Sequence, residues 1–251
     1  MKAISAVKQY NIVPTMHSKR PVLFLIFLSL AFLGQAICPD PAFAPPIVES
    51  VEAGDASFKA IDENTFEITA SHGSIISYTS FDIAPHERVH FNLPDAQSIS
   101  LNKVLGGAPT QIQGTFLSNG NIIFSNPNGF HFGPQANVQA AGLIVSTHAI
   151  SNADFLGGKY LFAGVPTGVP SRGSILNEGN IAVSRGGMAV FIADAIENRG
   201  VIAAPAGTVA LAAGNRVTVA LSANGMIAVA IDGETAAKIL DVNGNPVSDQ
   251  V

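Results

Sequence analysis

The sequence predicts an all-β chain wound as a parallel β-helix, and three observations point to it. First, short β-branched or aromatic runs, such as "TFEITA" (65–70), "NIIFS" (121–125), "GLIVST" (142–147), "MAVFIA" (188–193) and "TVALAA" (208–213), lie between Asn- and Gly-bearing turns. Second, the C-terminal half repeats. "ILNEGNIA" (175–182) aligns with "AIENRGVIA" (195–203), setting Asn177 over Asn198 and Gly179 over Gly200, and "GMAVFIA" (187–193) aligns with "GTVALAA" (207–213). Third, the repeat length is about 20 residues, enough for about three short strands and their bends but too little to bury an apolar face alone. Stacking such units at roughly 4.8 Å in parallel register closes the inward Val, Ile, Leu and Phe into one column.

From the N-terminus, residues 1–44 read as a signal peptide with an extended basic region: Lys2, Lys8, Lys19 and Arg20, the apolar run "VLFLIFLSLAFLGQA" (22–36), and a small-x-small site at Ala42-Phe43-Ala44 with cleavage after Ala44. The run of about 15 residues is short for a membrane span. The chain is therefore expected to be exported. Cys38, the single cysteine, leaves with the leader, so no disulfide is expected, and the formal net charge moves from −5 to −8. An acidic chain without a basic cluster argues against nucleic acid or anionic lipid as a partner. Residues 45–115 fit the repeat poorly and are expected to form a cap, with some antiparallel strands, and the first rungs. Residues 116–232 are expected to be the rungs proper, with at most about ten in the whole chain. Residues 233–251 read as a tail or the start of a missing passenger, with a short helix possible at "GETAAKILD" (233–241).

Turn chemistry marks the corners. Asn119, Gly120, Asn177, Gly179, Asn198 and Gly200 are the predicted solenoid turn positions, since Asn can bond its own backbone and Gly bends without steric cost. "LSNGNIIF" (117–124) also aligns with "LNEGNIAV" (176–183), an offset close to three repeat units. At Asn126-Pro127-Asn128-Gly129, Pro presets φ at the second turn position, Asn tolerates the third and Gly frees the exit, which predicts a β-turn.

Two motifs suggest metal chemistry and lose it in context. His86-Glu87-Arg88-Val89-His90 is a literal H-E-x-x-H, a zinc-protease signature on a helix. Here Pro85 precedes it, Val89, Phe91 and Leu93 alternate with polar residues, and Pro94 follows, so it reads as a strand. In a strand the two imidazoles stand about 13 Å apart, too far to share zinc. "DVNGNPVSDQ" (241–250) starts like a calcium loop but has Pro246 where Gly is needed, and the sequence ends before the bidentate Glu. No metal or other cofactor is expected. His72, His131 and His148 read as isolated residues at strand edges or turns.

The stretch 114–156 resembles the N-terminal two-partner-secretion domain of filamentous-haemagglutinin-like exoproteins. The resemblance covers about 74–231 and rests on "SFDI" (80–83), "VHFNLPDAQSISLNKVLGG" (89–107), "QIQGT" (111–115), Asn126–Gly129, Ala141–Thr147, "ISNADFL" (150–156) and "GTVALAAGNRVTV" (207–219). A second signature of some members, NPNL, is absent; Asn92-Leu93-Pro94 occupies that neighbourhood. The resemblance implies a right-handed parallel β-helix and a Gram-negative adhesin. Its partner would be an outer-membrane β-barrel transporter, for which Asn126–Gly129 is the recognition or structural turn. It also implies a monomeric, non-catalytic module, released or held at the cell surface, that meets host or bacterial surfaces through a longer passenger. The competing reading is a secreted β-helix enzyme acting on polysaccharide. That chemistry needs paired carboxylates on one face, for which Asp154 and Asp194 are the candidates, about 10 Å apart if two rungs stack them.

Overall fold

Val, Ile, Phe and Thr favour the pleated backbone, and the Asn, Gly and Pro between them break it every few residues. The product, in a computed structural model that describes residues 45–164, 173–221 and 227–231, is 21 strands and one short helix. Two strands form the cap, β1 (Ile47–Ala53) and β2 (Ala56–Ala60). The solenoid then winds through coil 1, β3 (Thr65–Ala70) and β4 (Ser74–Ser80), and coil 2, β5 (Arg88–Asn92), β6 (Ile99–Val104) and β7 (Thr110–Ile112). Coil 3 is β8 (Thr115–Ser118), β9 (Asn121–Ser125) and β10 (Phe130–Phe132). Coil 4 holds β11 (Asn137–Ala140) and β12 (Gly142–Ser146), then an insertion, α1 (Asn152–Leu156) and β13 (Tyr160–Ala163), before β14 (Ser174–Asn177). Coil 5 is β15 (Asn180–Val183), β16 (Met188–Ala193) and β17 (Ala195–Asn198), and coil 6 is β18 (Val201–Ala203) and β19 (Thr208–Ala213). Strands β20 (Arg216–Leu221) and β21 (Ile227–Ile231) follow.

Coiling stacks equivalent strands into three parallel faces. The first is β4-β6-β9-β12-β16-β19, the second β3-β5-β8-β11-β15-β18, the third β7-β10-β14-β17. The cap adds the antiparallel strands, β1 on β4 and β2 on β3, which cover the N-terminal edges of two faces. Asn177 pairs with Asn198 on the third face and Ala189 with Val209 on the first, as the sequence repeat requires. The alignment of 117–124 with 176–183 does not correspond to coil stacking. Asn121 opens a first-face strand, whereas Asn180 opens a second-face strand. The likeness comes from similar chemistry at different corners. Six coils are wound among the described residues, fewer than the upper bound of about ten set by strand spacing. The cap strands, the long corners of coil 2 and the insertion in coil 4 take up the difference.

The interior is one apolar column. On the second face Phe66, Val89, Phe116, Val138, Ile181 and Ile202 stack in register through all six coils. Phe81, Phe116, Phe124, Phe130, Phe132 and Phe191 meet edge-on, tilted or stacked along the core, with Phe81 and Phe124 edge-on at 4.8 Å between centroids, a geometry that aromatic quadrupoles favour. The first face is apolar on its outer side too. Ile75, Leu101, Ile123, Ile144 and Val190 form an outward ladder. They share a second core with Ile150, Phe155, Phe162, Val217 and Val219. That cover is the insertion together with an antiparallel sheet ordered β13-β20-β21.

Candidate functional site

Asn126–Gly129 forms the corner between β9 and β10. Gly129 N donates to Asn126 O at 3.0 Å, closing the turn, and Asn128 N donates to Asn126 Oδ1 at 2.9 Å. Gly129 has φ +110°, a conformation that side chains resist, so the fourth position needs glycine. The asparagines also reach the coil beneath. Asn126, fully buried, donates its Nδ2 to Ala108 O at 3.0 Å and to Thr110 Oγ1 at 2.9 Å. Asn128 Nδ2 donates to Gly106 O at 2.7 Å, and Thr110 N donates to Gly129 O at 3.0 Å. In the other direction Asn126 N donates to Ser146 O of coil 4. The corner is therefore a clamp joining three coils as well as a turn.

The other predicted corner residues hold coils together in related ways. Asn119 brackets Leu93, accepting from its N at 2.8 Å and donating to its O at 2.7 Å. Asn177 Nδ2 donates to Asn198 Oδ1 at 2.7 Å, while Asn177 Oδ1 accepts from Gly179 N at 3.2 Å. The glycines differ from the expectation. None of Gly120, Gly179 and Gly200 has positive φ. Their small size matters instead: a Cβ on Gly200 would stand 2.2 Å from Gly179 O, and one on Gly179 would stand 2.6 Å from Gly133 O. Backbones of successive coils touch there, and only glycine leaves room.

The H-E-x-x-H residues part company. Strand β5 begins at Arg88, so His86 lies in the preceding corner, exposed. Glu87 turns inward, buried, and accepts from Ala84 N at 2.8 Å, while His90 faces out of the second face. No group of three His, Cys, Asp or Glu able to hold a metal occurs among the described residues. The carboxylates considered for glycoside chemistry are not stacked on equivalent rungs. Asp154 is on the inserted helix and accepts from Ser151 at its N-cap, while Asp194 is buried with Nε2 of the equally buried His148 3.6 Å from its Oδ1. Residues 1–44 with Ala44, 233–241 and 241–250 lie outside the described residues.

Sequence reading missed two polar clusters. His131 is neither isolated nor at a turn: it is the middle residue of β10, 3.0 Å from Gln111 Oε1 through Nδ1 and 3.0 Å from Glu178 Oε2 through Nε2. The His131 bond, aided by Arg199, holds the Glu178 carboxyl below its usual range. Glu52 of β1 gathers Lys103 at 2.8 Å, Asn152 of α1 at 2.6 Å and Ser77. Burial disfavours its charge, but the bonds from Lys103, Ser77 and Asn152 outweigh that and hold its carboxyl at about 2. The partners are 51 and 100 positions away, beyond any local pattern.

The parallel solenoid with its antiparallel cap and side sheet has counterparts among known proteins. The solved secretion domain of HMW1 from Haemophilus influenzae superposes with a TM-score of 0.66 at 26% identity, over 77% of this chain and 52% of that one. The family model described as "TPS secretion domain" matches residues 53–248, and the chain belongs to that family. A heme/hemopexin-binding protein of Haemophilus influenzae strain Rd is 30% identical over 204 residues, 79% of this chain. A second protein of that name from Haemophilus influenzae is 33% identical over 87 residues, 35% of this chain. The chain spans 22% of the first relative's length, and the second match spans 9% of that protein. It is thus the secretion domain of a two-partner-secreted exoprotein, a class exported across the outer membrane of Gram-negative bacteria.

Proposed function

We propose that this chain is the targeting module of an adhesin resembling filamentous haemagglutinin, recognised without catalysis by an outer-membrane β-barrel transporter. A leader cleaved after Ala44 carries it through the Sec machinery. The transporter then delivers it, as a monomer, to the medium or the cell surface, where a longer passenger meets host or bacterial surfaces. The observation that supports this most is the clamped Asn126–Gly129 corner within a chain of the secretion-domain family. A corner bonded to three coils, with Asn126 buried and Pro127 exposed, fixes a shape that a partner can read. In this scheme 45–115 supplies cap and first coils, 116–232 the remaining coils together with the insertion and the β13-β20-β21 side sheet, and 233–251 the join to the passenger.

The test is co-expression in a Gram-negative host with and without the cognate barrel. The chain should reach the medium only when the barrel is present. Equal release without it defeats the proposal. The enzyme reading loses support because Asp154 sits on the inserted helix bonded to Ser151 while Asp194 is buried beside His148, and incubating the released chain with polysaccharides should yield no cleavage.

A further inference from the structure

The corner asparagines spend their side-chain amides on the chain itself. Asn126 is fully buried, and its side chain is occupied by Ala108 O, Thr110 Oγ1 and Asn128 N. Asn128 commits its Nδ2 to Gly106 O and Asn126 Oδ1. The bonds that leave the corner toward coil 2 converge on the segment Leu105-Gly106-Gly107-Ala108-Pro109 and on Thr110 next to it. The segment is held from its other side as well. Leu105 N donates to Tyr78 O at 2.8 Å, and a Cβ on Gly106 would lie 2.0 Å from Thr79 O, so the backbones of the segment and coil 1 are in direct contact.

Fixed between coil 1 and coil 3, the segment carries no polar or charged side chain. It leaves Leu105 55% exposed, with Gly107, Ala108 and the neighbouring Pro127 exposed too. A single exposed leucine is ordinary on a protein surface. Leu105 differs because three side-chain hydrogen bonds from Asn126 and Asn128 converge on its loop and on the adjoining Thr110. A loop without polar side chains of its own has its pose dictated by those amides, so it loses little entropy when bound.

We propose that Leu105–Pro109, with Pro127 beside it, is the surface gripped by the transporter, Leu105 entering an apolar pocket of that partner. The asparagines are positioning residues for this loop. The inference rests on the transporter reading above and adds to it the place of contact and the apolar character of the partner.

The mature chain has no cysteine once Cys38 leaves with the leader, so a single thiol can be placed at will. In a Cys38→Ser background, Leu105→Cys and Leu156→Cys would each be co-expressed with the barrel and treated with a short thiol-to-amine crosslinker. Leu156, 59% exposed on the inserted helix, is the control. An adduct with the barrel is expected from position 105 and none from 156. Leu105→Asp should lower release roughly tenfold or more, Leu105→Ser by less, and Leu156→Asp not at all. Adducts from both positions or from neither, or wild-type release of Leu105→Asp, overturn the proposal. Should Leu105→Asp lose its β-sheet circular dichroism, Leu105→Ser and the crosslink decide the matter in the same way. Failure of the transporter reading itself is distinct: wild-type chain would then be released equally without the barrel.

Discussion

At the scale of the residue, the fold depends on side-chain amides that hold neighbouring backbone and on glycines that let backbones meet. Replacing Asn126 by Ala takes the side-chain donor from the buried Thr110 Oγ1 and from Ala108 O, and the acceptor from Asn128 N, at a cost of about 1–3 kcal/mol for an unpaired buried group. That is small beside a typical domain stability of about 5–15 kcal/mol. Asn126→Ala with Asn128→Ala should therefore cut release strongly while circular dichroism stays β-rich. Normal release would show that the corner does not matter to the transporter, and global loss of β-structure that it is a folding nucleus. Two glycines separate crowding from backbone strain. Gly200→Ala drives a methyl to 2.2 Å from Gly179 O, whereas at Gly186, with φ +77° and nothing within 4 Å, only the backbone objects. Urea midpoints should show Gly200→Ala as the worse, since a backbone carbonyl cannot move aside as a flexible side chain can. Glu52 gives a pH signature. Its carboxyl lies at about 2 in the fold against an ordinary 4.5. Its charged contacts thus stabilise fully above 4.5 and are lost as pH falls from there through about 2. Urea midpoints measured from about pH 6 down to about pH 3 should fall further in the wild type than in Glu52→Gln. The corner turns were legible because turn chemistry is local. Which distant carbonyl each amide would reach was not.

At the scale of the element, strand existence could be read and strand environment only in part. "RVHFN" alternates and is half-buried as written, with Val89 and Phe91 inward. "MAVFIA" carries six apolar residues in a row and is buried at all six, the pattern of a strand covered on both faces. That continuous run was the signal that something lies over the first face, though nothing local says what. The cover is β13 with β20, and Phe162 is its deepest side chain from the insertion. Phe162→Ala should cost about 3–5 kcal/mol locally. Hydrogen exchange should then quicken in β13, β20 and β21 while the second face keeps its protection.

At the scale of the whole molecule, each coil touches mainly its neighbours, so damage stays local. The Asn126→Ala, Asn128→Ala chain should exchange faster in coils 2–4 and unchanged in coil 6. The period of about 20 residues was legible because turns recur, and it gives the solenoid outright. The coil count was only bounded, because a cap and an insertion take up chain without advancing the stack. The insertion also has a consequence for timing. β13 pairs with β20, whose strand begins at Arg216, after coils 5 and 6 have been wound. A chain emerging from its N-terminus must therefore hold Tyr160–Ala163 in waiting until Arg216–Leu221 arrives. Over that interval the outer ladder of Ile123, Ile144 and Val190 lacks its complete cover. The first face is thus the last to dry, and its closure waits on the arrival of Arg216–Leu221.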